Sequence, residues 1–392
     1  MKISTNRLKL ILTSLISIFL TLVLCVGIAL FLVSEYGSVQ LKFNQIKSVI
    51  DNYYIGDYDY FSSEDAMFDG FVDSLGDKYS EYYNSDETDE KNQKLEGRFH
   101  GIGIVVTKHP DNKTMYVTHV YNDSSAAKAG ITRGDEIIKV GNISVKEDYS
   151  GAFELLKGLK DEKITIELFG KSGSKALEVS YSDCTIQSVY YQLIEGFGYI
   201  EITSFNDATV NQFKDAVDNL IADSAKGLIF DLRGNGGGTV DSVSSMLDYI
   251  CPEGVLMYVK YANDEEKTVL KKSDSEHFVD LPMVVLTDSS TASASELFAA
   301  NIRDFNLGAL IGDTTYGKGV MQKTYRLYDG SSVKTTVAEF FAHSGVSFNG
   351  VGLKPDEEVK LSAEEQKNNL ILQGADSPYV KAAVKWLNER KK

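Results

Sequence analysis

The chain has 392 residues, of which 43% are apolar and 24% charged, and this composition predicts a folded protein of two or three domains. Its formal net charge of −16 argues against a nucleic-acid partner, because phosphate binding needs a clustered basic surface. Three cysteines are too few for a disulfide framework.

The first segment is the most apolar part of the chain. Residues 10–33 form a run without a charge, preceded by Lys2, Arg7 and Lys9. This length is typical of a membrane-spanning helix, and the basic flank predicts a cytoplasmic N-terminus with the rest of the chain outside. We therefore predict that residues 1–37 are a cytoplasmic end and a single-pass anchor, with a cleaved signal peptide as the alternative.

Residues 38–96 are predicted to be a helical prelude. Apolar side chains recur at helical spacing around residues 41–50 and 67–75, and Gly76 offers a stop. The tyrosines that follow are interpreted as packing or dimer surface, so a homo-oligomer is one expectation. Residues 85–91 are polar and acidic, a composition typical of a solvated linker.

A compact module is predicted over residues 97–183. It opens with GIGIVV at 101–106 and continues with strand and helix patterns separated by turn signals, with AGITRGDEI at 129–137 near its centre. This order of elements resembles a PDZ domain.

A PDZ-like module implies a peptide-binding groove. An extended peptide adds as a strand, and the backbone N–H groups of Gly101, Ile102 and Gly103 hold its terminal carboxylate. An apolar slot between Ile104 and the helix at 153–156 would select apolar tail residues. The alternative is that Ile102, Ile104 and Leu156 are simply core residues.

The segment 184–392 shows alternating strands and helices, which predicts a mixed α/β sheet with crossover helices. Four strand patterns and three helix patterns are the clearest: strands at 198–202, 227–232, 283–286 and 307–311, and helices near 208–222, 239–250 and 294–304. The predicted fold is therefore a multidomain α+β and α/β protein, with a transmembrane helix, a helical prelude, a PDZ domain and a mixed α/β-sheet domain.

Two loops of this sheet carry unusual residues. DLRGNGGGT at 231–239 follows the second strand and opens a helix. At 285–301 an apolar strand runs into small hydroxyl residues that open an amphipathic helix. The unpaired N–H groups of a first helical turn point at an oxygen beside such a serine, which is half of an acyl-transfer site.

The other half is a base, because a serine hydroxyl alone is a weak nucleophile. None of the five histidines has a triad context, which leaves Lys318. A lysine acts as a base only when neutral, so its pKa must fall from about 10.4 toward ~7–8, at a cost of roughly 3–5 kcal/mol that burial could supply. On the local residues alone, a surface lysine on a glycine turn is the favoured interpretation.

The spacing of the serine and the lysine changes that interpretation. TASASE at 291–296, followed by YGKGVMQ at 316–322, resembles the signature of the C-terminal processing peptidases, also called tail-specific proteases. The resemblance implies that Ser293 is the nucleophile, Lys318 is the general base and Gln322 orients the amine of the lysine.

The same resemblance assigns roles outside the dyad. The glycine-rich loop corresponds to an oxyanion-hole loop, in which an N–H group of Gly236 or Gly237, with that of Ala294, faces the developing oxyanion. SLGDKYS at 74–80 resembles the helical prelude of the family. Thr291 stands where the family often has serine, a departure that does not touch the chemistry.

Two glycine patterns are rejected as nucleotide sites. Residues 312–318 match the start of a P-loop, but Gly319 stands where a Ser or Thr must hold magnesium. Residues 234–239 break the spacing of a dinucleotide fingerprint. No zinc motif is present in the sequence either, so no cofactor or metal is expected.

The predicted function is that of a membrane-anchored serine endopeptidase. It would recognise proteins or peptides with accessible C-terminal tails through the PDZ domain and cleave them through an acyl-enzyme in the domain formed by residues 184–392. A catalytically inert PDZ-type scaffold is the alternative, against which the intact serine, lysine, glutamine and glycine loop weigh. An acyl-transfer enzyme of another kind is disfavoured, because the PDZ domain selects peptides.

Overall fold

The computed structural model describes residues 5–109, 113–158, 162–170, 173–362, 365–366 and 374–390, with no description of the side chains of residues 5–8, 31–38, 170 and 173. The chain forms two compact units, with the boundary between Met67 and Phe68.

The first unit is dominated by one long helix, α1 (Thr5–Tyr53). It contains the predicted membrane run and continues through the first part of the predicted prelude. Lys9–Leu30 is long and apolar enough to span a membrane, a property that signal sequences share. A second helix, α2 (Tyr60–Asp73), ends before Gly76 as its pattern predicts.

The acidic run predicted as a linker is a helix, so that prediction is wrong. After β1 (Glu81–Tyr83), α3 (Ser85–Leu95) begins at a capping box. The Asn84 side chain accepts from the Glu87 N–H, and the Glu87 carboxylate accepts from the Asn84 N–H, both at 3.0 Å. Polar composition does not separate an exposed helix from a linker, and here the cap decides.

The PDZ-like module is a sheet closed by two helices around its own core. Its elements are β2 (Arg98–Gly101), β3 (Ile104–Lys108), β4 (Met115–Val120), α4 (Ser125–Ala129), β5 (Glu136–Val140), β6 (Ile143–Ser144), α5 (Tyr149–Glu154), β7 (Lys163–Gly170), β8 (Gly173–Ser180) and β9 (Ser182–Thr185). The main sheet has the order β3-β4-β5-β7-β8, with β6 on β5, and β2 pairs with β9. Because β3 is at the edge of this sheet, its outer side is open to an added strand.

The C-terminal α/β domain confirms the predicted strands and helices to within one residue at each end. Its elements are β10 (Val189–Ile194), β11 (Phe197–Ile202), α6 (Asp207–Ala222), β12 (Leu228–Asp231), α7 (Val240–Ile250), β13 (Gly254–Tyr261), β14 (Thr268–Ser273), β15 (Met283–Thr287), α8 (Ala294–Asp304), β16 (Gly308–Gly312), β17 (Val320–Arg326), β18 (Ser332–Phe341), β19 (Glu357–Glu358) and α9 (Pro378–Glu389).

The central sheet of this domain has helices on both faces. Its order is β10-β11-β12-β15-β16-β19, parallel except for the pair β10 and β11. Helices α6, α7 and α8 cover one face, where the Phe298 ring packs edge-on against Phe230 with centroids 5.1 Å apart. Helix α9 covers the other face with Tyr379 and Leu387. Cys251 is buried in the first of these cores.

A second sheet joins distant parts of the chain. Its order is β1-β18-β13-β14, and β17 also pairs with β18. The first half of β18 therefore lies between β1, from the predicted prelude, and β17, which begins two residues after Lys318. This places the tyrosine-rich segment before α3 beside the predicted base.

Candidate active site

Three loops meet at one edge of the central sheet. The glycine loop (233–239) follows β12, the serine loop (288–293) follows β15 and the lysine loop (313–319) follows β16. These three strands are parallel neighbours, so their carboxyl ends lie side by side. Ligands of open α/β sheets bind outside these ends, so the fold brings the predicted site residues to the expected place.

Ser293 occupies the strained turn between β15 and α8. Its φ of 59° and ψ of −116° lie in a region that costs a non-glycine residue about 1–3 kcal/mol. Its side chain is half-buried. Among the hydrogen bonds of the described residues, none is donated by the N–H of Ala294, the first residue of α8.

The glycine loop lies directly against the serine. Gly237 has a φ of +105°, and a Cβ at this position would lie 2.8 Å from the Ala292 oxygen and 3.0 Å from the Ala294 nitrogen. Only glycine permits this approach. The Gly237 N–H donates to Asn235 Oδ1 at 2.8 Å, whereas the Gly236 N–H has no acceptor within the described part of the chain. Of the three predicted oxyanion donors, Gly236 and Ala294 therefore have free N–H groups.

Asn235 and Thr291 connect the glycine and serine loops. Asn235 is fully buried, and its Nδ2 donates to the Ile202 carbonyl at 2.8 Å. Its own carbonyl accepts from the Ala292 N–H at 3.1 Å. The Thr291 hydroxyl donates to the Leu232 carbonyl at 2.9 Å. These bonds fix the spacing between the two loops.

Glu296 connects the serine loop to the lysine loop. Its carboxylate is fully buried. One oxygen, Oε2, accepts from the backbone N–H groups of Ser293 at 2.9 Å and Lys318 at 2.8 Å. The other, Oε1, accepts from the Thr315 hydroxyl at 2.5 Å and the Gly317 N–H at 2.7 Å. The backbones of the serine and the lysine are thus held on a single oxygen atom.

The side chain of Lys318 is half-buried beside β1 and β18. Its Nζ lies 4.5 Å from the centroid of the Tyr79 ring, and the described residues include no hydrogen bond from it to Ser293. Burial lowers the pKa of Lys318, and the charge of Lys334 lowers it further, against the opposing charge of Glu81. This environment favours the neutral amine.

Gln322 lies on β17 near the lysine loop but is held by β18. Its Nε2 donates to the Val320 carbonyl at 3.3 Å and to the Thr336 hydroxyl at 3.2 Å. Within the described ranges no hydrogen bond joins it to Lys318. The structure therefore brings Gln322 to the site without placing it on the amine.

The predicted carboxylate-binding residues form the turn between β2 and β3. Gly101 and Ile102 are buried, and Ile102 is 1% exposed, which confirms it as core. Gly103 has a φ of +85°, and a Cβ there would collide with Ser124 at 2.1 Å. Ile104, partly buried, begins the edge strand β3.

A cavity of about 700 Å³ lies between the PDZ-like module and the glycine loop. Ile104, Phe153 and Leu156 line it from the PDZ side, and Gly237 and Gly238 line it from the α/β domain. The groove beside β3 and the loop beside the serine thus share one cavity.

Glu201 forms a polar contact between the two domains. This side chain of β11 pairs with His119 Nε2 at 3.1 Å and with Arg133 Nη1 at 3.3 Å, both from the PDZ side. The His119 ring also packs against the Tyr190 ring at a tilt of 33°, with centroids 4.4 Å apart. Burial alone would raise the pKa of Glu201, but the two partners outweigh it and hold that pKa below its ordinary value.

Two protein families match this chain. The model of Peptidase family S41 matches residues 196–359, and the model of the PDZ domain matches residues 116–168. The Carboxy-terminal processing protease CtpA of Bacillus subtilis (strain 168) is 32% identical over 333 residues, which cover 84% of this chain and 70% of that protein. This chain belongs to the carboxy-terminal processing proteases.

Further relatives support the membership of this protein in the same family. The "Probable CtpA-like serine protease" of Staphylococcus aureus (strain N315) is 30% identical over 337 residues, 84% of this chain and 67% of that protein. Two solved structures share the fold. One is the photosystem II D1 C-terminal processing protease (TM-score 0.50, 23% identity, 86% of this chain and 92% of that chain). The other is a Bacteroides fragilis protein assigned to the S41 proteases (TM-score 0.61, 17% identity, 86% and 93%).

The family resemblance predicted from the two motifs is confirmed, and the protein is a serine-type C-terminal processing peptidase with a PDZ domain. This finding favours the enzyme over the inert scaffold.

Three residues of the processing protease's site are not assigned by the sequence patterns. Asn235 lies inside the glycine motif, where a single amide among glycines was the available signal. Glu296 lies in the first turn of a predicted helix, where an acidic side chain is already explained as a favourable charge, although its spacing from Ser293 is that of a capping box. Tyr79 is too far from Lys318 in the sequence for any spacing to connect them.

Proposed function

We propose that this processing protease is a membrane-anchored endopeptidase that captures protein C-terminal tails in its PDZ groove and cuts upstream through a Ser293–Lys318 dyad. The Glu296 carboxylate carries the proposal, because its Oε2 binds the backbones of both residues. A lysine side chain is long and flexible, so from this backbone position the amine reaches the serine hydroxyl by rotating away from Tyr79.

In this mechanism the neutral amine of Lys318 takes the proton of Ser293 as the hydroxyl oxygen attacks the scissile carbonyl. The C–N bond then breaks, and the leaving amine takes that proton from the lysine. Water attacks the resulting ester, gives a proton to the lysine and releases the acid, and the serine recovers its proton. The burial of Lys318 supports this role, because burial disfavours the charged ammonium.

The oxyanion of each tetrahedral intermediate is stabilised by the free N–H groups of Gly236 and Ala294. Gly237 is the alternative donor of the glycine loop when Asn235 releases its N–H. Removal of one such donor costs about 3–4 kcal/mol. Gln322 holds the working amine through its Oε1, since its Nε2 is already bound to Thr336.

The tail of the substrate adds as a strand along β3. Its terminal carboxylate meets the N–H groups of Gly101, Ile102 and Gly103, and its apolar side chains enter the slot beside Ile104. The shared cavity supports this path, because it connects the groove with the glycine loop.

The run at residues 10–33 anchors the enzyme in the cell membrane as a single span. The basic residues before it place the N-terminus in the cytoplasm and the catalytic part outside. The length and hydropathy of Lys9–Leu30 support this arrangement.

The proposed dyad is tested on the full-length enzyme in mild detergent, with an unfolded substrate whose products are identified by mass spectrometry. Ser293→Ala and Lys318→Ala are each expected to abolish cleavage with an unchanged melting temperature. Lys323→Ala, on β17 and exposed, is the matched control and keeps its activity. Full activity of Lys318→Ala would remove the mechanism.

Tail recognition is tested separately with the same substrate carrying a C-terminal amide. Loss of the terminal charge is expected to raise KM and leave kcat unchanged. Phe153→Ser, in the apolar slot, is expected to do the same for the free acid. Equal KM values for acid and amide would contradict carboxylate capture by the PDZ groove.

A further inference from the structure

The SLGDKYS segment at 74–80 has no role in the mechanism above, yet it is fixed on the catalytic domain. The Ser80 hydroxyl is buried and donates to Asp77 at 2.6 Å. It also accepts from the Thr336 N–H of β18 at 3.3 Å. Directly after it, Glu81 of β1 pairs with Lys334 of β18. These contacts hold the segment beside the lysine loop.

The amine of Lys318 faces this segment. Its Nζ lies 4.5 Å from the centroid of the half-buried Tyr79 ring. The Lys78 amine lies 4.9 Å from the same ring and donates to the Tyr316 hydroxyl at 2.9 Å. The charged or titratable groups around Lys318 are Lys334, Glu81, Tyr316 and Asp77, together with Lys78 and Tyr79 themselves.

We propose that Tyr79 is a positioning residue for Lys318: its ring forms one wall of the pocket that keeps the amine out of water before the amine turns to Ser293. This inference rests on the proposed function, because it requires Lys318 to be the base. A lysine works as a base only in its neutral form, and exclusion of water is what favours that form. The ring face also attracts the ammonium, but this attraction is weaker than the penalty of a buried charge.

The ring therefore acts mainly by covering the amine, and its removal lets water stabilise the charged form. Three variants distinguish this effect on the amine from a general loss of structure. Tyr79→Ala opens the pocket, while Tyr79→Phe keeps the ring and removes only its hydroxyl. Tyr325→Ala is the matched control, because this exposed tyrosine of β17 lies under another lysine, Lys323, at 5.2 Å.

The measurement is kcat/KM of the full-length enzyme for a tail peptide as a function of pH. We expect Tyr79→Ala to lose about tenfold or more at neutral pH and to move the acidic limb of the profile to higher pH, because the wetter amine keeps its proton longer. Tyr79→Phe and Tyr325→Ala are expected to keep the limb and to stay within about twofold of the parent enzyme.

An acidic limb at the same pH in Tyr79→Ala and the parent would overturn the proposal, because a structural defect lowers the rate equally at every pH. A gain of activity in Tyr79→Ala would also overturn it, since the ring would then hold the amine away from the serine. If Tyr79→Ala does not fold, Tyr79→Leu is the second variant: it covers less of the amine than the ring, so the acidic limb is expected to move to higher pH by a smaller amount, and an unmoved limb would overturn the proposal.

Failure of the proposed function gives a different result. Full cleavage by Lys318→Ala would show that Lys318 is not the base, which refutes the proposed function. If Lys318→Ala is inactive and the acidic limb of Tyr79→Ala is unshifted, only the proposed role of the Tyr79 ring is refuted.

Discussion

Glu296→Gln tests whether the buried carboxylate joins the serine to the lysine. The glutamine has the same shape but carries an NH₂ group in place of one oxygen. Each carboxylate oxygen now accepts two hydrogen bonds, and three of the four donors are backbone N–H groups, which cannot accept from an amide. Even in the better orientation, in which the Thr315 hydroxyl turns to accept from the new NH₂ group, the Gly317 N–H loses its acceptor in a fully buried site.

The expected cost follows from that lost acceptor. A buried donor left without its acceptor costs about 1–3 kcal/mol, so Glu296→Gln is expected to destabilise the site by at least that amount. The lysine loop can relieve this strain only by moving, and a displacement of about 1 Å at a catalytic group costs roughly 100-fold in rate. We expect kcat/KM for a tail peptide to fall by about that factor and the melting temperature to fall with it.

Glu87→Gln is the matched control. Glu87 also closes a capping box at the third residue of a helix, but its carboxylate is exposed and accepts from the Asn84 N–H. This variant is expected to keep full activity and to lose at most about 1 kcal/mol. If Glu296→Gln had the activity and melting temperature of the parent enzyme, the connection of the two loops through this carboxylate would be refuted.

Three further predictions concern the loops and the domain contact. Gly237→Ala is expected to lower kcat/KM about 100-fold, because its Cβ pushes the glycine loop off the serine, and wild-type kinetics of this variant would contradict the prediction. Its control is Gly130→Ala, also at positive φ but in open space, which is expected to cost about 1–2 kcal/mol of stability and no activity. Asn235→Asp places a carboxylate oxygen against the Ile202 carbonyl in place of a donor, so kcat/KM is expected to fall about tenfold or more. An unchanged kcat/KM would show that the Asn235 amide does not hold the glycine loop. Glu201 stabilises the domain contact above its unfolded pKa of about 4.3, and this contribution disappears as the pH falls through the lower pKa of the folded state. The melting temperature of the parent enzyme should therefore drop more steeply on acidification than that of Glu201→Gln, and parallel curves would show that Glu201 does not stabilise the contact.

Local sequence patterns account for most of the fold of this protein. Four strands of the central sheet, β11, β12, β15 and β16, and the helices that cover one of its faces follow from apolar periodicity and turn residues. The glycine and serine motifs, each after a predicted strand, were enough to predict a nucleophile and its oxyanion donors, and the fold brings these residues to one sheet edge. The family itself follows from the spacing between the serine and the lysine motifs.

Local patterns were insufficient where an element depends on a single cap. The acidic run before the PDZ domain has the composition of a linker, but Asn84 and Glu87 close a capping box and make it a helix. In the same way, the spacing between Ser293 and Glu296 indicates a cap without showing that the carboxylate also binds another loop.

By itself, the sequence determined the order of the domains, the four inner strands of the catalytic sheet and the pair of residues on which the chemistry is proposed. The tertiary structure decided what surrounds that pair: Glu296 between the two loops, Tyr79 against the amine, and the PDZ groove open to the glycine loop. These contacts join segments far apart in the chain, and their geometry depends on how β1, β17 and β18 align across a sheet. Side-chain periodicity fixes which residues face a core, whereas strand register brings distant side chains together, and only the folded chain sets that register.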